Sequence, residues 1–262
     1  MKPLVRWAGG KSRLMPELLQ RLPTTYNSYY EPFAGGAALF FGQFPIPAPK
    51  SYLIDANHEL MNFYTVVREW PDKLIDQLRT LPVSETAFYA IRDYVPADQV
   101  ERAARFFYLN KTCFNGLYRV NLAGKFNTPW GKYVDPDTCP ASRIRDASRA
   151  LASTYLLAGD YSLVRNLAER GAFVYFDPPY APVSRTSNFT SYTATRFAYP
   201  EQAALARLFD ELTARGVSCM LSNSDTPEMR NLYARHRVES IMAPRSIGGA
   251  KKPVAELLVR NY

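Results

Sequence analysis

The alternation of short apolar strands with helices is the strongest constraint on how this chain folds. Strand-like segments lie at 28–33, 51–54, 155–157, 172–176, 217–221 and 255–260. Helix-like segments lie at 11–22, 37–41, 142–153, 162–170 and 201–215. Strands that alternate with helices indicate a mostly parallel, doubly wound α/β sheet. We therefore expect an open α/β sheet with helices on both faces.

Two segments interrupt this alternation. Residues 58–110 have helical spacing throughout and contain no strand candidate. Residues 117–130 are rich in glycine, asparagine and aromatic residues, which predicts a hairpin with its turn near Ala123-Gly124. We predict one sheet-forming domain and one inserted, mainly helical domain that contains the hairpin. Their bounds are 1–56 with 155–262 for the former, and 57–154 for the latter.

Composition excludes several classes of protein. The chain has 262 residues, 47% of them hydrophobic, so it is neither a disordered tail nor a small disulfide scaffold. No run approaches the roughly 18 apolar residues of a membrane span, and the N-terminus lacks the apolar run of a signal peptide. We expect a soluble, cytoplasmic protein that does not bind membranes. Cys113, Cys139 and Cys219 are widely spaced, and with only two histidines they suggest neither a disulfide framework nor a metal site.

The formal net charge of +8 is concentrated in two segments. Residues 101–135 and 228–262 each carry a net charge of +4, with the basic residues interleaved among glycine, asparagine, serine and aromatic residues. A hairpin or loop that follows phosphates has this pattern, and so does an ordinary solvated surface. Charge alone leaves both interpretations open, although it favours a polyanionic partner.

The residues after the predicted strands form a candidate site, because ligands of open α/β sheets bind at the carboxyl ends of the strands. Gly35-Gly36 follows the first strand, and Asp55 comes 20 residues after Gly35. A glycine turn allows close approach of the backbone to a ligand, and an acid at this distance accepts hydrogen bonds from ribose hydroxyls. The pattern fits a nucleoside cofactor, either a dinucleotide or S-adenosylmethionine. The three-glycine pyrophosphate fingerprint is absent, which favours a cofactor without phosphate.

The sequence Asp177-Pro178-Pro179-Tyr180, directly after an apolar strand, is the most specific feature of the chain. Two prolines fix φ and lack N–H donors, so the Asp177 carboxylate and the Pro178 carbonyl are held as acceptors. The amino group of an aromatic base can donate to both while the Tyr180 ring stacks on the base. Such hydrogen bonds stabilise positive charge on an attacking nitrogen, without a metal. We predict that these four residues are catalytic; a strand-terminating turn is the alternative.

Several motifs occur in a fixed order along the chain. They are Arg6-Trp7-Ala8-Gly9-Gly10-Lys11, Glu31-Pro32-Phe33-Ala34-Gly35-Gly36, Asp55-Ala56-Asn57, Asn115-Gly116-Leu117-Tyr118-Arg119, Phe126-Asn127-Thr128-Pro129, Asp177-Pro178-Pro179-Tyr180, Asn188-Phe189-Thr190 and Arg245-Ser246-Ile247. Together they resemble the Dam family of DNA adenine-N6 methyltransferases over nearly the whole chain. Ala37 departs from the pattern, since many members have glycine there. The resemblance implies a class-I S-adenosylmethionine-dependent methyltransferase fold with an inserted DNA-recognition domain.

The resemblance also implies which residues bind S-adenosylmethionine and release S-adenosylhomocysteine. They are Trp7, Lys11, Phe33, Ala34, Gly35, Asp55, Asp160, Tyr161 and Asp177. Without the resemblance, Trp7 is typical of a half-buried core aromatic and Lys11 of a lysine on a helix surface. Asp160 would simply cap the helix that begins at Ser162.

For DNA, the resemblance implies that the hairpin reads the target sequence GATC. Arg119 is suited to guanine O6 and N7, and Leu117 and Pro129 to a thymine methyl or a pyrimidine edge. Phe114 and Asn115 would fill the gap left by a flipped adenine. The other expected DNA-binding residues are Arg6, Lys125, Lys132, Asn188, Arg245, Lys251 and Lys252.

The sequence thus predicts a monomeric, site-specific enzyme that transfers methyl from S-adenosylmethionine to adenine N6 in double-stranded DNA. Three alternatives stay open. Cytosine-N4 methylation uses the same amino-group chemistry, a nucleotide-dependent oxidoreductase shares the sheet and the ribose acid, and a non-catalytic DNA-binding module shares the charge.

Overall fold

The computed structural model describes residues 1–45, 48–121, 123–180, 197–243 and 254–262. The strands are β1 (Ser28–Pro32), β2 (Lys50–Asp55), β3 (Thr154–Ala158), β4 (Phe173–Phe176), β5 (Ser218–Ser224), β6 (Arg237–Ala243) and β7 (Val254–Arg260). They form one seven-stranded sheet in the order β3-β2-β1-β4-β5-β7-β6.

The sheet is parallel from β3 through β5 and antiparallel at β7. The β1–β2, β2–β3, β1–β4 and β4–β5 pairs are parallel, whereas β7 runs antiparallel to both β5 and β6. The predicted mostly parallel, doubly wound sheet is confirmed, and the predicted strand at 255–260 is β7. The chain crosses from one half of the sheet to the other between β3 and β4, so the gap between β1 and β4 is the topological switch point.

Helices cover both faces of the sheet. They are α1 (Met15–Leu19), α2 (Ala38–Gln43), α3 (His58–Glu69), α4 (Pro71–Arg79), α5 (Glu85–Asp93), α6 (Gln99–Thr112), α7 (Ala141–Leu151), α8 (Val164–Leu167), α9 (Tyr199–Ala214) and α10 (Pro227–Leu232). Neighbouring residues of β1 show the two faces. Tyr29 is buried in a core with α2, α3 and α7, and Tyr30 in a second core with α8 and α9. Alternation of side chains along a strand explains this division.

Two predicted helices are shorter in the structure. The segment 11–22 is a 3₁₀ helix at Lys11–Arg13 followed by α1, and Pro16 lies in the first turn of α1, where proline is tolerated. The segment 162–170 is a 3₁₀ helix at Tyr161–Leu163 followed by the four residues of α8. Helix α8 ends at Leu167, because Ala168 has an extended backbone. The Ala168 carbonyl accepts a hydrogen bond from Arg215 Nη2 at 2.5 Å.

Helix α10 and strand β6 were not predicted from the sequence. The sequence predicts a basic hairpin or loop, or an ordinary solvated surface, over residues 228–262, with one final strand at 255–260. Arg237–Ala243 instead forms an edge strand paired along its length with β7. Glu239 on this strand accepts from Arg21 Nε at 3.0 Å, and Arg260 on β7 also donates to it. Charged side chains of this kind are typical of edge strands, and they hide the strand from hydrophobic periodicity.

The helical segment and the hairpin are confirmed. Residues 58–110 contain α3, α4, α5 and most of α6. The hairpin has two antiparallel bridges, Cys113 with Trp130 and Val120 with Phe126, and Gly124 takes a φ of +73° in its turn. A small separate core joins the hairpin to α5 and α6 through Phe88, Tyr108, Leu109, Cys113 and Phe126. The predicted domain bounds stay a prediction, because α3 also packs against β2 and β3.

Candidate active site

The predicted site residues lie at one edge of the sheet. Phe33, Asp55, Asp160 and Asp177 stand at or just beyond the carboxyl ends of β1, β2, β3 and β4. These four strands are parallel neighbours, so their ends converge. The loops after β1 and β4 flank the switch point, which is where open α/β sheets bind ligands.

The glycine loop after β1 is held against Asp55. The Gly35 amide donates to Asp55 Oδ2 at 2.9 Å, and the Asn57 amide donates to Asp55 Oδ1 at 2.9 Å. Burial raises the pKa of Asp55, and these two amides oppose that rise. Gly35 has a φ of +46° and Phe33 a φ of +103°, a region that residues with side chains seldom adopt. Backbone strain of this kind clusters at ligand-binding sites.

Trp7 connects the glycine loop to the hairpin. A Cβ at Gly35 would come within 2.6 Å of Trp7 Cδ1, so the indole packs directly on the glycine backbone. The indole also stacks on Tyr118, with ring centroids 5.9 Å apart. Trp7 is half-buried and packs against the main core, as a core aromatic would. Trp7 also lies between the glycine loop, which is predicted to bind the cofactor, and the hairpin, which is predicted to bind DNA.

Lys11 and Asp177 form a buried ion pair. Lys11 Nζ lies 2.8 Å from Asp177 Oδ1, and the lysine side chain is only 4% exposed. The interpretation of Lys11 as a helix-surface lysine is therefore wrong. Burial raises the pKa of Asp177 to about 6, while the Lys11 ammonium lowers it. Asp177 Oδ1 is buried against this ammonium, whereas the Asp177 side chain as a whole is 20% exposed. The rest of the carboxyl can therefore accept a hydrogen bond from a ligand.

A buried amide pair holds the Pro179 carbonyl. Gln202 Nε2 donates to Pro179 O at 2.9 Å, and Asn223 Nδ2 donates to Gln202 Oε1 at 2.9 Å. Both amides are fully buried, and buried polar side chains persist where their hydrogen bonds are made. Neither residue was predicted from the sequence. The available signal was a glutamine on the helix face that also carries Leu205 and Phe209.

Tyr180 is held at its hydroxyl and at its ring face. The hydroxyl donates to Glu256 Oε2 on β7 at 2.6 Å. Lys11 Nζ lies 4.5 Å from the centroid of the ring, within the range of a cation–π interaction. Glu256 was not predicted from the sequence, because only strand pairing brings β7 to this edge of the site.

Three aromatic rings cluster beside the glycine loop. Phe33 stacks on Tyr161 with centroids 4.9 Å apart, and Phe197 meets Phe33 edge-on at 5.6 Å. Phe197 is a further residue that the sequence did not reveal. Asp160 Oδ1 accepts from the Ser162 amide at 2.9 Å, so its capping interpretation is confirmed. Its expected contact with the cofactor stays a prediction.

The donor set fits S-adenosylmethionine. An aromatic cluster suits an adenine ring, the Asp55 carboxylate suits a ribose diol, and the Asp177 carboxylate suits the neighbourhood of a sulfonium cation. Among the described residues, no group of three or more His, Cys, Asp or Glu side chains is arranged to hold a metal ion. Within the same residues, no helix has the length and apolar character needed to traverse a bilayer.

The predicted DNA-binding residues that the structure describes are mostly exposed. Arg6, Phe114, Asn115, Arg119, Lys125, Pro129 and Lys132 are exposed, and Leu117 is half-buried. Arg119 Nε donates to Asn127 Oδ1 at 2.7 Å across the hairpin, which orients the guanidinium. The predictions for Asn188, Arg245, Lys251 and Lys252 lie outside the described residues.

Asn110 ties the hairpin to the N-terminal motif. Its Oδ1 accepts from the Arg6 amide at 2.8 Å, and its Nδ2 donates to Arg6 O at 2.7 Å and to Gly116 O at 3.3 Å. Gly116 has a φ of +64°, and a Cβ there would come within 2.5 Å of Arg6 Cβ. The segment from Arg6 to Lys11 is thereby fixed to the hairpin at one end and to the strand-end site at the other.

Known proteins resemble this chain over nearly its whole length. The family model for D12 class N6 adenine-specific DNA methyltransferase matches residues 7–247. The type II methyltransferase M1.LlaDCHI of Lactococcus lactis subsp. cremoris is 38% identical over 100% of this chain and 96% of its own length. The type II methyltransferase M.MjaIII of Methanocaldococcus jannaschii is 36% identical over 100% and 99%. The DNA adenine methylase of Escherichia coli (strain K12) is 34% identical over 98% and 94%.

The parallel sheet with its antiparallel β7, and the site at its switch point, define a class-I S-adenosylmethionine-dependent methyltransferase fold. The chain belongs to the D12 class of N6 adenine-specific DNA methyltransferases, which confirms its Dam-family resemblance. It is therefore an adenine-specific DNA methyltransferase, with S-adenosylmethionine as methyl donor and DNA as substrate. The cytosine-N4, oxidoreductase and non-catalytic alternatives are set aside by this membership.

Proposed function

We propose that this enzyme methylates adenine N6 in GATC within duplex DNA, after flipping the adenine into a pocket formed by Asp177, Pro178, Pro179 and Tyr180. The proposal is supported chiefly by the Asp177 carboxylate at the end of β4, whose Oδ1 lies 2.8 Å from the Lys11 ammonium while its side chain keeps 20% exposure. An adenine amino group has two protons to donate. Asp177 and the Pro178 carbonyl would accept them, while the Tyr180 ring stacks on the base.

The chemistry asked of Asp177 is orientation and charge stabilisation. When bound, S-adenosylmethionine supplies an electrophilic methyl group on a sulfonium. The pKa of Asp177 is about 6, so its carboxylate is far too weak a base to deprotonate a neutral arylamine. The neutral amino group instead attacks while it still carries both of its hydrogens. Asp177 stabilises the positive charge that appears on the nitrogen. The extra proton leaves after transfer, when the nitrogen is cationic and acidic.

Cofactor contacts are proposed for the residues around the switch point. Asp55 would accept from the ribose hydroxyls, and Phe33 with Tyr161 would line the adenine site. Trp7 and the Gly35 backbone would form the wall next to the methionine portion. The hydrogen bond between the Gly35 amide and Asp55 supports this assignment, because it sets the loop and the acid as one unit before any ligand arrives.

Base flipping is proposed because adenine N6 is paired inside a duplex and cannot otherwise reach a pocket at a strand end. Phe114 is 52% exposed although it is a large apolar side chain, and Asn115 next to it has a φ of +55°. An exposed aromatic on a short, anchored turn is suited to fill the space that the flipped adenine leaves in the duplex.

Specificity is assigned to the hairpin. Arg119 donates from Nε to Asn127 Oδ1 at 2.7 Å and from Nη2 to Asn127 O at 3.4 Å, so both contacts orient the exposed guanidinium on the hairpin. A guanidinium fixed in this way suits the O6 and N7 atoms of guanine. Leu117 and Pro129 would contact the pyrimidines. The surrounding cations Arg6, Lys125 and Lys132 would contact phosphates, which position the duplex without reading sequence.

The test uses two duplexes that are identical except that the guanine of GATC is replaced in one. We expect the wild-type enzyme to prefer the GATC duplex, and Arg119→Ala to lose about 1–3 kcal/mol of that preference, roughly fivefold to 150-fold. Asn127→Ala should lose part of it, because Arg119 is no longer oriented. Lys125→Ala is the control, since loss of a phosphate contact should weaken both duplexes alike. Equal methylation of both duplexes by the wild type would reject the GATC assignment.

A further inference from the structure

Glu256 is placed to control the catalytic motif from outside it. It lies near the start of β7, where its backbone pairs with Ser224 of β5 and Ile241 of β6. Its carboxylate oxygen Oε2 accepts a hydrogen bond from the Tyr180 hydroxyl, with the two oxygens 2.6 Å apart. This distance is within the range of a charge-assisted O–H···O⁻ hydrogen bond, which is roughly twice as strong as a neutral one.

The two contacts to Tyr180 act on different parts of its ring. The Lys11 ammonium lies over the ring face at 4.5 Å, while Glu256 holds the hydroxyl at the far end of the ring. A cation on the face leaves the ring free to slide and rotate in its plane. A fixed hydroxyl removes that freedom. With both contacts, the ring has one position relative to Asp177.

We propose that Glu256 is a positioning residue for methyl transfer, which acts through the Tyr180 hydroxyl to fix the ring that stacks on the target adenine. The inference rests on the proposed function, because it requires that Tyr180 contact the flipped base. Sub-ångström placement matters here, since a reacting group displaced by about 1 Å can lose about a hundredfold in rate.

Glu256 also contributes to the charge around Asp177. Among the described residues, the other titratable groups that face the Asp177 carboxylate are Lys11 from the N-terminal motif, Glu31 from β1, Tyr175 from β4 and Tyr180 from its own loop. Burial raises the pKa of Asp177 most, Lys11 lowers it, and Glu256 raises it further. Neutralising Glu256 should therefore lower the pKa of Asp177 and leave more of it ionised at acidic pH.

The experiment is a double-mutant cycle on the full-length enzyme. Single-turnover methylation is measured at saturating S-adenosylmethionine and GATC duplex for Glu256→Ala, Glu256→Gln, Tyr180→Phe and the Glu256→Ala/Tyr180→Phe pair. We expect Glu256→Ala to slow transfer by about tenfold to a hundredfold. Glu256→Gln should retain most of the rate, because its amide oxygen still accepts the hydroxyl. In the Tyr180→Phe background, Glu256→Ala should cause little further loss.

A pH profile separates positioning from a merely structural role. We expect Glu256→Gln to move the acidic limb of the rate profile to lower pH, since the charge that raised the pKa of Asp177 is gone. Glu239→Gln is the matched control, because Glu239 lies on the neighbouring strand β6 and pairs with Arg21 away from the site. Glu239→Gln should change thermal stability but neither the rate of methyl transfer nor the pH at which that rate falls on the acidic side.

Asp177→Asn distinguishes the two proposals. If Asp177→Asn transfers methyl at the wild-type rate, the proposed pocket is wrong. If Asp177→Asn is inactive but Glu256→Ala transfers normally, or if the losses from Glu256→Ala and Tyr180→Phe simply add, the positioning role of Glu256 is wrong and the pocket stands. Three results together support the inference. Glu256→Ala folds but transfers methyl slowly, Glu256→Gln keeps most of the wild-type rate, and Glu256→Ala causes little further loss when Tyr180 is already Phe.

Discussion

Removal of the Lys11 ammonium should change the pH at which the enzyme works. Lys11 Nζ lies 2.8 Å from Asp177 Oδ1 and is the cation that lowers the pKa of this buried carboxyl, which stands at about 6. In Lys11→Met the lowering is lost, whereas burial and Glu256 still raise the pKa. Transfer requires the ionised carboxylate, so the acidic limb of the profile should move to higher pH.

The size of the effect follows from the distance. An opposite charge within about 4–6 Å typically lowers a carboxyl pKa by about 1–3, so its removal should raise the Asp177 pKa to between about 7 and 9. At pH 7 the ionised fraction then falls from about nine-tenths to between about one-half and one-hundredth. We expect a loss of about twofold to a hundredfold at pH 7, largely recovered on raising the pH.

The assay is kcat/KM for a GATC duplex at saturating S-adenosylmethionine across the pH range, because kcat/KM reports the pKa values of the enzyme before it binds the varied substrate. Lys11→Arg is the control that keeps the charge, and its limb should stay near pH 6. If kcat/KM of Lys11→Met falls at the same acidic pH as kcat/KM of the wild type, the electrostatic argument is refuted, whatever the maximum value of kcat/KM.

Three further predictions concern stability and binding. Burial raises the pKa of Glu31 to about 8 from an ordinary 4.5, so the contribution of Glu31 to native stability is fully present below pH 4.5 and is lost as the pH rises from there through 8. Glu31→Gln should remove that loss, up to about 5 kcal/mol in chemical denaturation at pH 8, and an unchanged pH slope would contradict this. Gly35→Ala should weaken S-adenosylmethionine binding in calorimetry because its Cβ meets the indole at 2.6 Å, whereas Gly124→Ala, with nothing within 4 Å, should bind normally. Asn110→Ala should cost about 1–3 kcal/mol of stability and weaken DNA binding more than cofactor binding; equal weakening of both would argue against its role as a hairpin anchor.

Much of the fold and part of the site could be predicted from local sequence. The strand ends at Asp55 and Asp177 are visible because a buried parallel strand is a short apolar run that stops at a polar residue. The turn at Gly124 is visible because glycine tolerates its positive φ. These features depend on a few neighbouring residues, so a single sequence contains them.

The remaining site residues depend on contacts between distant segments. Glu256 reaches Tyr180 only because β7 inserts antiparallel between β5 and β6, and no local pattern specifies that insertion. Gln202 contacts Pro179 only because α9 packs over the loop after β4. Lys11 has the sequence context of a surface helix, yet tertiary packing buries it to 4% exposure. Partners that lie far apart in the chain cannot be read from periodicity or propensity.

The most direct test of the account is the product formed by wild type and Asp177→Asn on one GATC duplex. Labelled methyl from S-adenosylmethionine is followed into DNA, the DNA is digested to nucleosides, and cofactor and duplex binding are measured on the same protein samples. We predict labelled N6-methyladenine with the wild type, and with Asp177→Asn no detectable transfer while both ligands still bind. Transfer by a folded Asp177→Asn enzyme at the wild-type rate would contradict the assignment of this carboxylate as the group that orients the amine.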